Sequence, residues 1–201
     1  MQTFIDFDGT LFDTDRYIVD FMKVFNDYGI TKEEFEHAKN NLFNEKKLFN
    51  INIITEYFIN KHNLDKQFRE KINSLLENSY VYNEVISCLE TLKTMNNELY
   101  ILTYGDNEFQ RMKINSTDLA KYFKEIIISE SDKSKLDLDY QNSIFIDNNP
   151  IETEKFYKAG AKKVIRIRRS SDKYSKINSN ILEIIECEDF NQVVEFMKGD
   201  F

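Results

Sequence analysis

Apolar positions along the chain follow two periodicities. The run Thr3-Phe4-Ile5-Asp6-Phe7-Asp8-Gly9-Thr10 is short, apolar and partly β-branched, and it breaks into polar residues and a glycine, as a buried strand does where it meets its loop. After Asp13 the spacing changes to three and four. Tyr17, Ile18, Phe21, Met22, Phe25 and Tyr28 share one face of a predicted helix that stops at Gly29. Thr31 and Glu34 form a capping-box pair that opens a second helix carrying Phe35, Leu42 and Phe43. Periodic stretches near 51–62 and 64–76 predict two more helices. Asn83 is placed to cap another, with Val85, Ile86, Leu89, Leu92 and Met95 inward.

A second strand arrives only with Glu98-Leu99-Tyr100-Ile101-Leu102-Thr103. About 70 residues separate Asp13 from the helix that leads into it. Loops without structure of their own rarely exceed ~15 residues, so the span from about Asp15 to Tyr80 predicts an inserted helical unit. The remainder alternates. Helical pieces are expected at 107–114 and 117–123, and strands at 125–128 and 143–147. A helix follows from about Ile151 to Lys158, ending at Gly160. A strand at 164–167, a polar loop at 170–179, a strand at 181–185 and a helix near 190–197 complete the chain. Short apolar strands separated by helices predict a mostly parallel sheet with both faces covered. The expected fold class is α/β, a Rossmann-like parallel sheet core from residues 1–14 and 81–201 with an α-helical insertion at 15–80.

Composition narrows the function. The 201 residues are 41% hydrophobic and 31% charged, a globular balance. No apolar run nears the ~20 residues that span a bilayer, and no basic region followed by an apolar stretch opens the chain, so a cytoplasmic location is expected. Cys88 and Cys187 are expected as buried free thiols. A net charge of −8 argues against a nucleic-acid partner, which needs a positive field. The basic stretch Lys162–Arg169 alternates as a strand with one apolar and one solvated charged face, although Arg168 and Arg169 are placed to meet an anion at its carboxyl end.

Three strand ends carry candidate chemistry. Asp6 and Asp8, two apart in an extended run, point the same way. Such a pair is repulsive unless a cation or a phosphate reaction uses it. The second strand ends in Thr103-Tyr104-Gly105-Asp106 and a later one in Asp147-Asn148-Asn149-Pro150, with Ser131-Asp132-Lys133-Ser134-Lys135 between them. Parallel strands bring these ends to one edge, where open α/β sheets bind ligands.

At this point Asp6-Phe7-Asp8-Gly9-Thr10-Leu11-Phe12-Asp13 resembles the first signature of the haloacid dehalogenase-like (HAD) superfamily of hydrolases. Ile101-Leu102-Thr103 resembles the second, Lys133 or Lys135 the third, and Ile144-Phe145-Ile146-Asp147 the fourth, in the family's order over nearly the whole chain. The insertion resembles the helical cap of the family's phosphatase branch. The resemblance implies a Mg²⁺-dependent phosphomonoester hydrolase of a small soluble phosphorylated metabolite. Asp6 would attack phosphorus to form an aspartyl-phosphate. Asp8 would protonate the leaving alcohol and then take a proton from water. Thr103, with backbone N–H groups of Tyr104 and Gly105, would hold the phosphate, and Lys133, favoured over Lys135, would balance its charge. Asp6, the Asp8 backbone carbonyl and Asp147 would hold Mg²⁺. A phosphomutase on a sugar phosphate and a weak or inactive HAD-fold binding protein are the alternatives. A dehalogenase is disfavoured because Asp8 is present.

One departure stands out. Many relatives carry a second acidic residue beside the fourth-motif Asp or one turn later, and here Asn148 and Asn149 follow Asp147. Glu152 could orient a metal-bound water or merely favour the helix dipole. Asp13 and Asp106 are expected as helix caps. His37 and His62 are expected as surface or packing residues, and the insertion's many Phe and Tyr as core.

Overall fold

The computed structural model describes residues 1–43 and 48–199. Six strands form one sheet: β1 (Gln2–Ile5), β2 (Glu98–Tyr104), β3 (Glu125–Ser129), β4 (Ser143–Asp147), β5 (Lys163–Ile167) and β6 (Ile185–Cys187). All neighbours are parallel, in the order β3-β2-β1-β4-β5-β6. This is the Rossmann-like α/β architecture expected. β1 lies at the centre, where the winding reverses, with Ile5 paired to Ile101 on one side and Ile146 on the other. That register puts Asp6, Thr103 and Asp147 at adjacent strand ends.

Alternation along the strands builds two cores. Ile5, Leu99, Ile101, Ile144, Ile146 and Ile165 face one side, covered by α5 (Val85–Thr94), α6 (Asn107–Asn115) and α8 (Phe190–Gly199). Phe4, Tyr100, Leu102, Phe145 and Val164 face the other, covered by α7 (Pro150–Lys158). There Phe145 stacks on Phe156 of α7 with centroids 4.5 Å apart, and on Phe4 at 5.0 Å.

Among the described residues, four α-helices lie between β1 and α5: α1 (Thr14–Asp27), α2 (Lys32–Leu42), α3 (Ile51–His62) and α4 (Lys66–Ser74). Phe25 is their hub, within 4.6–5.4 Å of Phe21, Phe35, Phe58 and Phe68 by ring centroids. These aromatics are core, as expected. Asp13 caps α1 through Arg16 N, Thr31 caps α2 through Glu34 N, and Asp106 caps α6 through Phe109 N. The Glu34 side chain completes no box; it pairs with Lys61 and His62.

Several sequence expectations are corrected. Asn83 is not the cap of α5, which starts after Glu84 with Val85 N bonded to Tyr82 O in a backbone turn. The expected helix at 117–123 is one 3-10 turn, Leu119–Tyr122, entered through left-handed Asp118. The strand expected at 181–185 is Ile185–Cys187, because Ile181 and Ile184 pack against the Phe145 core from a loop instead of joining the ladder. The charged face of β5 is not solvated. Arg166 is 0% exposed, because Glu186 of β6 and the loop after β5 close over it; its guanidinium pairs with Glu186 at 2.9 Å and donates to Tyr174 O at 2.8 Å. Both cysteines are buried and free.

Candidate active site

The nucleophile loop is held by its own backbone. Asp6 N donates to Ile146 O (2.8 Å), which extends the ladder by one residue. The chain then wraps on itself, with Leu11 N and Phe12 N both donating to Phe7 O at 2.9 Å. Phe7, Leu11 and Phe12 are sealed in the core. Gly9 takes φ +77°, a conformation that favours glycine. This tight wrap delivers Asp6 and Asp8 into a cavity of about 550 Å³ that Thr103, Lys133 and Asp147 also line.

Lys133 ties two strand ends together. Its Nζ lies 2.8 Å from Asp6 Oδ1 and 2.6 Å from Asp147 Oδ2, and all three side chains are buried. Asp132 caps the 3-10 turn that presents it, accepting from Ser134 N. Lys135, the other candidate, points to solvent at the far end of the same turn. Burial, reinforced by the charge of Asp147 and opposed by Lys133, pushes the Asp6 carboxyl up to about 8. Burial works against the Lys133 ammonium, but Asp147 and Asp6 outweigh it and raise its pKa well above the usual range.

Asp8 is held by different partners. Lys113 Nζ lies 2.5 and 2.6 Å from its two oxygens, Gln110 Nε2 donates at 2.8 Å and Thr14 Oγ1 at 2.9 Å. Burial pushes the Asp8 carboxyl up, but Lys113, Gln110 and Thr14 together hold it below the usual carboxylate range. Gln110 also donates to Tyr104 O (2.8 Å) and lies 3.2 Å from Thr103 Oγ1, so it links Asp8 to the end of β2. Sequence reasoning missed Gln110 and Lys113. Their signal was two polar residues three apart on the buried face of α6, beside Phe109 and Ile114.

The remaining candidates divide. Tyr104 is exposed and lines the cavity, whereas Gly105 does not, and its N–H donates to Ser129 O (3.0 Å). Asn148 is buried and donates to Asp172; Asn149 caps α7 through Ile151 N. Arg168 and Arg169 do not reach the cavity. Arg168 pairs with Glu186, and Arg169 pairs with Glu84 while lying 3.5 Å over the Tyr82 ring, so both fasten loops. His37 lies beside Asn41, and His62 pairs with Glu34, both among helices α2 and α3 and away from this cavity.

The donor set suits a hard divalent cation. Asp6, Asp147 and Glu152 bring three carboxylates to a cavity in which Lys133 serves the first two and Lys155 only one oxygen of the third. The second, Glu152 Oε2, is buried without a hydrogen-bond partner among the described residues. No three His, Cys, Asp or Glu side chains among the described residues form a ready cage. A hard cation such as Mg²⁺ needs only one or two carboxylates and completes its shell with water and substrate oxygens, and Asp6 and Asp147 could supply these carboxylates.

The sequence profile of the haloacid dehalogenase-like hydrolases matches residues 4–137. No curated protein matches the sequence. Among solved structures, the fold is similar to a haloacid dehalogenase-like hydrolase from Burkholderia xenovorans LB400 (TM-score 0.77, 19% identity, 98% of this chain and 96% of that one). It is also similar to a HAD phosphatase from Thermococcus onnurineus (0.68, 18%, 98% of each) and to the L-2-haloacid dehalogenase of Xanthobacter autotrophicus (0.66, 13%, 98% of each). At these identities the likeness is one of fold, and the last two perform different reactions on it. No helix among the described residues is long and apolar enough to cross a membrane.

Proposed function

The chain belongs to the haloacid dehalogenase-like hydrolase family, and on that footing we propose that it is a Mg²⁺-dependent phosphomonoester hydrolase acting on a small phosphorylated metabolite through an aspartyl-phosphate on Asp6. The observation that carries this reading is the presence in one cavity of two differently held carboxylates. Asp6 sits against Lys133, and Asp8, two residues on, sits against Lys113 and Gln110. A carboxylate nucleophile alone would serve dehalogenation as well as phosphoryl transfer. A second carboxyl in the same cavity, able to exchange a proton with a leaving oxygen, favours phosphate esters.

An Asp6 oxygen attacks phosphorus, and the bond from phosphorus to the ester oxygen breaks. The proton for the departing oxygen comes from the Asp8 carboxyl. Water then attacks the phosphoryl group on Asp6, Asp8 takes the water's proton, and inorganic phosphate leaves. Lys133 offsets charge on Asp6 and the transferring group, and Thr103 Oγ1 holds a phosphate oxygen. Mg²⁺ would be held by Asp6, the Asp8 backbone carbonyl and Asp147, and supplies neutralisation of the phosphate charge when bound.

Residues 15–80 act as a cap on a core of residues 1–14 and 81–201. Asp15 and Ile18 of α1 line the cavity from the insertion side, which supports small substrates over polymers. Two free buried cysteines accord with a cytoplasmic setting.

The test is hydrolysis of an aryl phosphate with and without Mg²⁺, in the native protein and in Asp6→Asn. Turnover is expected only with the native protein and the metal, while both proteins give the same circular dichroism. Undiminished turnover in Asp6→Asn rejects the nucleophile. A hexose 1-phosphate converted to its isomer without phosphate release rejects hydrolysis in favour of a mutase.

A further inference from the structure

The neutral side chain beside Asp147 is not free to choose its orientation. Asn148 Nδ2 donates to Asp172 Oδ2 in a close contact, and both residues are buried. A carboxylate only accepts, so the amide nitrogen faces Asp172 and the amide oxygen faces away from it. Among the described residues no donor is bonded to Asn148 Oδ1. That oxygen is also absent from the sealed, unpartnered atoms of the interior, while Asn148 lines the catalytic cavity with Asp6 and Asp147. The oxygen therefore opens onto the cavity.

The surroundings are built to keep this pair. Asp172, 5% exposed, also accepts from Tyr174 N through Oδ1 at 2.7 Å. The buried Arg166 guanidinium holds Tyr174 O at 2.8 Å and reaches Asn148 O at 3.4 Å, so one cation ties the loop after β5 to the end of β4. Gly9 of the nucleophile loop stands directly against the Asn148–Asp172 bond. A Cβ there would lie 2.1 Å from Asn148 Nδ2 and 3.1 Å from Asp172 Oδ2. The loop that carries Asp6 and Asp8 thus leaves room for the pair.

We propose that Asn148 Oδ1 is a neutral oxygen donor to the divalent-cation site of Asp6 and Asp147, directly or through one water, and that Asp172 is the positioning residue that turns it there. This rests on the metal-dependent reading above. Hard cations accept amide carbonyl oxygens beside carboxylates. Asp172 contributes negative charge to the site without taking a coordination position, as outer-shell carboxylates do.

The experiment is calorimetric titration of the full chain with Mg²⁺, without substrate. Asp172→Asn is nearly isosteric. It removes the charge and frees the Asn148 amide to turn, and it is expected to weaken Mg²⁺ binding about tenfold. Adding Asn148→Asp to it exchanges carboxylate and amide; the oxygen facing the cavity is again fixed, and affinity is expected to return to within about threefold of native. Native affinity in Asp172→Asn, or no recovery in the exchanged pair, overturns the inference. In that case the proposed hydrolase stands as long as native turnover needs Mg²⁺ and Asp6→Asn abolishes it. A native chain that neither binds Mg²⁺ nor needs it for turnover overturns both.

Discussion

Lys113 Nζ stands 2.5 and 2.6 Å from the two carboxylate oxygens of Asp8, so a buried ammonium on α6 grips the residue assigned the proton-transfer role. Phe7, Phe12 and Phe109 surround that ammonium within 4.9–5.8 Å of their centroids. The pair therefore sits between an aromatic floor and the cavity. Held ionised, Asp8 is ready to take a proton from water but poorly supplied with one to give. The half-step in which the leaving oxygen departs should accordingly be the slow one.

Replacing Lys113 by Met tests this. The wild-type protein is expected to hydrolyse aryl phosphates faster as the leaving phenol becomes more acidic, because a good leaving group needs little help from Asp8. Lys113→Met lifts the Asp8 carboxyl, and the dependence of kcat/KM on phenol acidity should flatten. Stability should fall as well. Breaking a fully buried pair costs ~3–5 kcal/mol, and the loss here should lie toward the lower end because the Asp8 side chain is 27% exposed. A slope that is the same in both proteins removes Lys113 from the proton economy of the site.

Asp6 titrates in the opposite sense. Its carboxyl is raised from 3.8 to about 8 in the folded, metal-free protein. The folded state therefore holds a proton that the unfolded chain gives up near pH 4. The stabilisation is complete below the unfolded value and is lost as pH rises through the folded one. In EDTA, the melting temperature of the native protein is expected to fall relative to that of Asp6→Asn as pH rises from about 4 to about 8. Added Mg²⁺ should oppose that fall, since it favours the ionised carboxylate. Parallel melting curves across this window contradict the buried, Asp147-facing environment described for Asp6.

The two lysines of the 133–135 turn should behave oppositely. Lys133→Met leaves Asp6 and Asp147 facing each other without their shared cation, and the expected loss in kcat is about 10²–10³-fold, the scale of losing one preorganised charge partner. Lys135 is exposed and its side chain has no bonded partner among the described residues, so in Lys135→Ala stability should stay within about 0.5 kcal/mol and turnover should be unchanged. Steady-state kinetics and thermal melting of both variants check the assignment, and a substantial kinetic defect in Lys135→Ala reverses it.

What could be read from the chain follows the range of each interaction. Asp6, Asp8, Thr103 and Asp147 announced themselves because each belongs to a short apolar strand whose polar end lies within a few residues. The caps Asp13, Thr31 and Asp106 were legible for the same reason, since each bonds an N–H three residues on. Lys113 was not, because its partner is 105 residues away and meets it only once α6 packs against the nucleophile loop. The burial of Arg166 depended on a three-residue strand, β6, whose apolar neighbours Ile181 and Ile184 mimic a strand in the wrong place. Asn148 read as a weakness of the site because Asp172 comes from a different loop, 24 residues on.

Gly9 joins these separate supports. Its φ of +77° shapes the loop that presents Asp6 and Asp8, and its missing side chain leaves the space that Asn148 fills. Ala at this position meets two penalties. A non-glycine residue at this φ costs of order 1–3 kcal/mol, and the new methyl overlaps Asn148 Nδ2, a buried amide tied to Asp172 that cannot swing into solvent. Gly9→Ala is therefore expected to lower stability by more than the about 1–3 kcal/mol of the conformational cost alone and to weaken Mg²⁺ binding as well, because displacing Asn148 breaks its bond to Asp172. Gly29 has the same φ, but a Cβ there would meet no atom within 4 Å, so it supplies the control. Gly29→Ala should show the conformational penalty alone, with native Mg²⁺ affinity. If both alanine variants bind Mg²⁺ as the native protein does, the space beside Gly9 serves only the fold.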